Sequence, residues 1–281
     1  MSISTRCAEG LIWVYKGINR TGLLNASWAR SLYISSYFTY KKYIEDAYAR
    51  LIKHHAALFS DGNILDIGAN IGYTAFVFSQ AIEAPFKVFA FEPEERNIEL
   101  LKQSSLKYGF SAQLVPIAAA VGDKEGEIEL WKNEAHNGDH RILTSTLKEQ
   151  LPDHVKIQKT PIVTVDNFIK KLGSDTPISF IKIDVQGYEL AVCKGMIETL
   201  AQHPNTIIGF EYCPSIIEAL GFQPEELLHF FKERGYQFYV LTHENKIQHY
   251  DIEQGQAQLR KIRPHDYIDI LCASRDLTAE H

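Results

Sequence analysis

The sequence predicts an α/β domain built on a parallel sheet, and three observations carry that prediction. From Asn63 onward, short β-branched or aromatic runs alternate with helical patterns, the rhythm of right-handed βαβ units. "ISFIKIDV" (178–185) is nearly continuous in apolar residues, as a central strand buried on both faces requires. "LDIGANIGY" (65–73) sets two glycines four residues apart between an apolar run and a helical pattern, which marks a strand-to-helix turn.

The chain has 281 residues, suited to one large α/β domain over 61–281 with a helical extension over 1–60. Hydrophobic residues make up 45% and charged residues 23%, with a formal net charge of −6. That composition suits a globular core and excludes disorder. Without a basic run or a finger motif, nucleic acid is not an expected partner. Cys7, Cys193, Cys213 and Cys272 are scattered without a CxxC, so they read as reduced and mostly buried. "LIWVY" is too short for a signal sequence or a span of roughly 18 apolar residues. A cytoplasmic protein with no membrane span is expected.

In the extension, Tyr40, Ile44, Ala47, Tyr48, Leu51 and Ile52 recur at helical spacing. The partner of this face is either the core or a second subunit of a homodimer. His54 and His55 fall at the helix end, where the dipole favours them. Then follow "NILDI" as a strand, a helix over 71–81, "KVFAFE" as a strand and a helix over 94–107. "AQLVPIAAAV" reads as one strand and "EGEIELW" as part of an added hairpin. The stretch 133–154 lacks periodicity, as functional or mobile loops do. Order resumes at "IVTVDNFI", followed by "ISFIKIDV" and a helix from Tyr188 to about Leu200. "NTIIGFEY", a helix after Pro224, "YQFYVL" and "DYIDILCA" complete the pattern.

The glycine turn is not GxGxxG; Asp66 stands where a diphosphate binder avoids negative charge, but where an ammonium would be welcome. Glu92 ends the next strand, 20 residues after Gly72, where a carboxylate accepts hydrogen bonds from both ribose hydroxyls. In consecutive βαβ order these point to a nucleoside with a cationic amino-acid end, which is S-adenosylmethionine. The plainer alternatives are a turn-capping Asp66 and a solvated Glu92.

"DIGANIGYTA", "FAFEPEERNIELLK", "AAVGDKEGEIELW" and "FIKIDVQGYELAVCKGM" together resemble the FkbM family of S-adenosylmethionine-dependent methyltransferases, over roughly residues 55–245. The resemblance implies a class I methyltransferase (Rossmann-like) seven-stranded, mostly parallel sheet with helices on both faces, of order 3-2-1-4-5-7-6 with strand seven antiparallel. It also implies methylation, commonly of a hydroxyl oxygen. By motif position, Asp66, Gly68, Asn70, Gly72 and Thr74 are implied on the methionine and ribose side, and Glu92 with Pro93 at the ribose. After strand three, "PIAAAVGD" lacks the polar or acidic residue that usually meets adenine in this class.

Methyl transfer to an alcohol needs alignment of the two reactants and a base or metal to take up the proton. Asp184 and Glu211 end neighbouring strands, about 4.8 Å apart, at the crevice where open α/β sheets bind ligands. Either carboxylate serves as base, as metal ligand for a divalent ion, or, for Asp184, as anchor for the cofactor's amino group. Lys182, costly in an apolar strand unless paired, either neutralises one of them or acts directly. Glu189 reads as a helix-dipole partner, with metal ligation the minor alternative. In "HNGDHR", His140 is a second candidate base, while His136, Asn137 and Arg141 are candidate substrate contacts beside Asp139; a solvated loop is the alternative. His243 is a weaker candidate.

The expected function is O-methylation of a hydroxyl on a sugar or secondary metabolite, so the partner is a small-molecule or glycan acceptor. An amino or carboxyl acceptor is the alternative within the class. "IDVQGYE" replaces the Asn/Asp-Pro-Pro-Tyr motif of many nucleic-acid amine methyltransferases, which argues against base methylation. A nicotinamide-dependent oxidoreductase and a catalytically silent cofactor binder are the readings from other classes.

Overall fold

The computed structural model describes residues 26–44, 47–132, 140–152, 154–253, 255 and 267–278. The N-terminal part contains α1 (Ser27–Ile44), α2 (Ala47–His54) and a 3-10 turn (Ala56–Leu58). Next come β1 (Asn63–Ile67), α3 (Tyr73–Ser79), β2 (Val88–Phe91), α4 (Glu95–Tyr108) and β3 (Leu114–Ile117). An intervening group follows: β4 (Ala120–Val121), β5 (Gly126–Trp131), β6 (Arg141–Ile142), α5 (Ser145–Gln150), β7 (Ile157–Val163) and α6 (Val165–Leu172). The last part is β8 (Ile178–Ile183), α7 (Glu189–Lys194), α8 (Ile197–Gln202), β9 (Ile207–Tyr212), α9 (Pro214–Ala219), α10 (Pro224–Lys232), β10 (Gln237–Leu241), β11 (Ile247–His249) and β12 (Ile268–Ala273).

The main sheet runs β11-β10-β12-β9-β8-β1-β2-β3. From β3 to β9 all neighbours are parallel, whereas β12 is antiparallel to both β9 and β10. With β11 set aside, this is the 3-2-1-4-5-7-6 order of a class I methyltransferase sheet. The strand count is corrected from seven to eight: Asn245, at a left-handed φ of 62°, turns the chain back so that β11 pairs with β10. Asn tolerates that conformation better than most residues.

Three expected elements differ. "AQLVPIAAAV" is two strands, because after Ile117 the chain leaves the main sheet and Ala120–Val121 pairs with β7 instead. Pro116 fits this, since β3 is an edge strand and a missing N–H is tolerated there. The expected hairpin is a second sheet of order β4-β7-β5-β6, in which β5 pairs along its whole length with β7 rather than mainly with β6. The helix after Tyr188 is interrupted at Gly195, where a Cβ would lie 2.0 Å from Gly122 O. Close backbone approach between β4 and this turn forbids a side chain there.

Alternation along each strand sorts the two faces. Leu65, Ile67, Ile181, Ile183, Ile208, Phe210 and Ile270 face a core completed by α6, α7, α8 and α10. On the opposite face Ile64, Val88, Phe180, Ile207 and Leu271 pack under α2, α3 and the 3-10 turn. α1 adds Tyr33, Ile34 and Phe38 against α3 and α4, with Phe38 stacked on Tyr108 at 4.3 Å between ring centroids. Of the extension's apolar face, Tyr48, Leu51 and Ile52 are therefore packed on the chain's own core. Burying Leu51 there contributes on the order of 1.5–3 kcal/mol. His55 Nε2 lies 2.8 Å from Asn245 O and Arg50 donates to Asn245 Oδ1 at 3.2 Å, so α2 is tied to the β10–β11 turn. No helix among the described residues is long and apolar enough to cross a membrane.

Gly195→Ala should lower the chemical-denaturation midpoint, because overpacking a close backbone contact costs about 1–3 kcal/mol. An unchanged midpoint would mean that the turn has room to yield.

Candidate active site

The strand face under the N-terminal helices is apolar at the amino ends and polar at the carboxyl ends. Continuing each strand by two residues leads from Ile64 to Asp66, from Phe180 to Lys182 and Asp184, from Ile207 through Gly209 to Glu211, and from Leu271 back to Asp269. Asp269 is the register partner of Glu211 across β9 and β12. Polar groups thus gather at the carboxyl edge, the position of the crevice in which open α/β sheets bind ligands.

The turn after β1 is set by backbone constraints. Gly68, Asn70 and Gly72 have φ of 81°, 50° and 93°. A Cβ on Gly68 would lie 1.8 Å from Asp184 O, and one on Gly72 would lie 2.3 Å from Leu101 Cδ1, so both glycines answer close packing as well as left-handed backbone. The amides of Gly68 and Ala69 both donate to Phe91 O at 3.0 Å. Asn70 N donates to Glu92 Oε2 and Glu94 N to Glu92 Oε1, each at 2.9 Å, so the Glu92 carboxyl bridges the two turns at the ends of β1 and β2. Burial pushes its pKa up to about 7, against the lowering effect of these amides. Pro93 O in turn accepts from Gln158 Nε2 at 2.9 Å and Thr160 Oγ1 at 3.3 Å, which fastens β7 of the second sheet to this edge.

Asp66 is fully buried beneath the turn. Thr74 Oγ1 donates to its Oδ2 at 2.8 Å, and Lys182 Nζ lies 3.2 Å from its Oδ1. The same ammonium is 3.4 Å from Asp184 Oδ2 and donates to Gly68 O at 2.8 Å. Lys182 therefore pairs with Asp66 as well as Asp184; the sequence suggested Asp184 or Glu211 as its partner and did not suggest Asp66. Burial works against its charge, but Asp184 and Asp66 outweigh that and hold its pKa above the ordinary lysine value. Asp184 is also held by Gln186 Nε2, which donates to Oδ1 at 3.0 Å. Burial opposes its ionisation, yet Lys182 and then Lys41 keep its pKa below the usual carboxylate value. Its side chain is 31% exposed against 4% for Lys182 and 0% for Asp66, so of these three it is the group open to the crevice.

Glu211 behaves oppositely. Burial, then the charges of Asp184, Asp269 and Glu189, push its pKa up to about 9, so it is neutral at pH 7 and donates as well as accepts hydrogen bonds. Tyr48 covers this region from α2: its ring meets Phe78 and Phe180 edge-on at 5.4 and 6.0 Å, and a Cβ on Gly209 would lie 2.9 Å from its hydroxyl. Burial and then Asp269, Asp184, Asp66 and Glu211 raise its pKa well above the ordinary tyrosine value. Tyr48, Lys41 and Asp269 were not among the residues the sequence singled out as functional. The two-residue alternation of "DYIDILCA" carried the signal for Asp269; the N-terminal pair had none beyond helical spacing.

The remaining candidates are dispersed. His140 precedes β6, and Arg141 opens it in register with Trp131 on the second sheet. His136, Asn137 and Asp139 lie outside the described residues, as does Cys7, while Cys193, Cys213 and Cys272 are free and buried. His243 is exposed in the β10–β11 turn. Among the described residues no group of three or more His, Cys, Asp or Glu side chains is arranged to hold a metal ion.

Residues 66–238 match the family model described as "Methyltransferase FkbM domain". Among curated proteins, the hexuronic acid methyltransferase AglP of Haloferax volcanii is 28% identical over 152 residues, covering 53% of this chain and 55% of that protein. The chain thus spans just over half the length of that relative. Among solved structures, an O-methyltransferase from Bacillus cereus in complex with SAH superposes with a TM-score of 0.47 at 10% identity, covering 94% of this chain and 89% of that one. TomG of Streptomyces achromogenes, an O-methyltransferase in complex with SAM, gives 0.47 at 9% identity over 80% and 77%. At that similarity neither structure bears on substrate.

Lys182→Met should destabilise the fold by about 3–5 kcal/mol, since it strands the buried Asp66 charge. Adding Asp66→Asn should recover part of the loss, with a coupling of about 0.5–3 kcal/mol in a urea double-mutant cycle. Additive losses would mean that the pair is not coupled.

Proposed function

From the chain's membership of the FkbM-domain methyltransferase family, we propose that it transfers a methyl group from S-adenosylmethionine to an oxygen of a sugar, of the hexuronic acid class. The observation that carries this reading is Asp184, partly exposed at the carboxyl end of β8, with one oxygen facing Lys182 and the other held by Gln186. The name of the Haloferax relative, a hexuronic acid methyltransferase, supports the acceptor class.

The residues present fit such a cofactor. The Glu92 carboxyl, which accepts from Asn70 N, Glu94 N and, at 3.5 Å, Asn97 Nδ2, retains acceptor capacity on Oε2 for a ribose hydroxyl. Asn70 Oδ1 is buried without a hydrogen-bond partner, an acceptor suited to a donor from the ligand. The left-handed turn from Gly68 to Gly72 would offer backbone to the ligand at this edge. Asp66, its charge met by Lys182, shapes this turn from below, and Asp184 is the carboxylate left to meet the ammonium end or the acceptor.

When bound, the cofactor supplies a methyl carbon made electrophilic by its sulfonium. Toward a hydroxyl acceptor, Asp184 would take up the proton that the acceptor oxygen loses as it is methylated. Asp184 stays ionised across the neutral range because its pKa is lowered. Glu211, protonated below about pH 9, offers a hydrogen bond to the acceptor without adding a second negative charge beside Asp184. A hexuronic acid also carries a carboxylate, which needs no base, so a methyl ester is the second product to be tested for.

The test is transfer of labelled methyl to p-nitrophenyl β-glucuronide. A base-stable labelled ether is expected, and Asp184→Asn should lower its formation by roughly 10²–10⁴-fold. A base-labile ester formed undiminished by Asp184→Asn would transfer the assignment to the carboxylate. Absence of label from the wild-type protein would overturn the acceptor class.

A further inference from the structure

Glu189 at the start of α7 does more than complement a helix dipole. Its side chain is buried, at 2% exposure, where an ordinary first-turn glutamate would be solvated. One oxygen, Oε1, accepts from both Val185 N and Gly187 N, each at 3.1 Å. Between those two amides sits Gln186, a non-glycine residue at φ 56°, followed by Gly187 at φ 100°. The left-handed region is unfavourable for a residue with a Cβ, so something must hold the loop there. The Glu189 carboxyl does so from one side. From the other, packing leaves no room at Gly187, where a Cβ would lie 2.8 Å from Ile216 O.

The consequence of that conformation is the reach of Gln186, whose Nε2 donates to Asp184 Oδ1 at 3.0 Å. The end of β8 is secured without Glu189, through Asp184 N to Ile67 O at 3.0 Å and Lys182 Nζ to Gly68 O at 2.8 Å. What Glu189 adds is the path of residues 185–187, and through it the rotation of the Asp184 carboxylate.

We propose that Glu189 is a positioning residue for methyl transfer, fixing the 185–187 loop so that Gln186 orients the Asp184 carboxylate toward the acceptor oxygen. The inference rests on the reading that Asp184 meets the acceptor.

The experiment measures kcat and KM for S-adenosylmethionine with p-nitrophenyl β-glucuronide in the full chain and its variants. Glu189→Ala should lower kcat by about 10–100-fold, as loss of an orienting partner does, while KM for S-adenosylmethionine stays within about 3-fold. Glu189→Gln keeps an oxygen for both amides and should recover most of the rate; a merely electrostatic role would show no such recovery. Gln186→Ala leaves the staple intact and should lower kcat in the same direction, which keeps the proposal testable if Glu189→Ala fails to fold. Full kcat in a folded Glu189→Ala protein, or in Gln186→Ala, overturns the positioning role. Full activity of Asp184→Asn overturns instead the reading beneath it.

Discussion

A single ammonium group inside the sheet governs the geometry of the carboxyl edge. Lys182 is carried into the interior by β8, where an unpaired charge would be untenable, and it is satisfied only because Asp66, Asp184 and the carbonyl of Gly68 converge on it. Two turns from distant parts of the chain are thereby locked together: the glycine turn after β1 and the loop after β8. Gly68 must be glycine partly for this reason, since the Asp184 carbonyl occupies the space a Cβ would need. Of the charges involved, Asp66 is consumed inside, and Asp184 is left facing outward with its orientation set from both sides.

The rest of the molecule is arranged around that edge. Helices α1 and α2 lie over the strand face whose carboxyl half is polar, and Tyr48 fills the gap left by Gly209. They lie outside residues 66–238, the span shared with the family, as does Asp269, so part of the crevice wall is specific to segments flanking the common domain. The second sheet approaches from the other side, hydrogen-bonded to Pro93 through Gln158 and Thr160. Glu211 among these groups is a carboxyl whose pKa is raised by burial and then by its acidic neighbours, next to an Asp184 whose pKa Lys182 holds down against burial. That contrast gives one edge both an acceptor and a donor at neutral pH.

Much of this was legible in the sequence. The βαβ rhythm, the spacing of Gly68 and Gly72, the acidic residues at three strand ends and the order of the main sheet follow from local pattern and from the family resemblance. What escaped was set by contacts distant in sequence. Nothing near Lys182 reveals that its partner is Asp66, 116 positions earlier, so Asp66 reads as a ligand-facing group when it is an internal one. The division of 112–121 between two sheets depends on β7, and the interruption at Gly195 depends on the backbone of Gly122. Glu189 reads as a dipole partner because its position in the first turn is visible, whereas its burial is not. His140 and Arg141 drew notice through composition alone, and they belong to the edge of the second sheet.

The proposed hold of these two turns on a nucleoside cofactor runs through Glu92. It is tested most directly by calorimetric titration of S-adenosylhomocysteine into the wild-type protein and Glu92→Gln, from about pH 6 to about pH 8. Because the free carboxyl titrates near 7 and its ionised form is the better acceptor for a ribose hydroxyl, binding to the wild type should tighten several-fold as pH rises through that value. Glu92→Gln should bind more weakly, with a flat profile. Affinity unaffected by the substitution and independent of pH, or no binding at all, would contradict it.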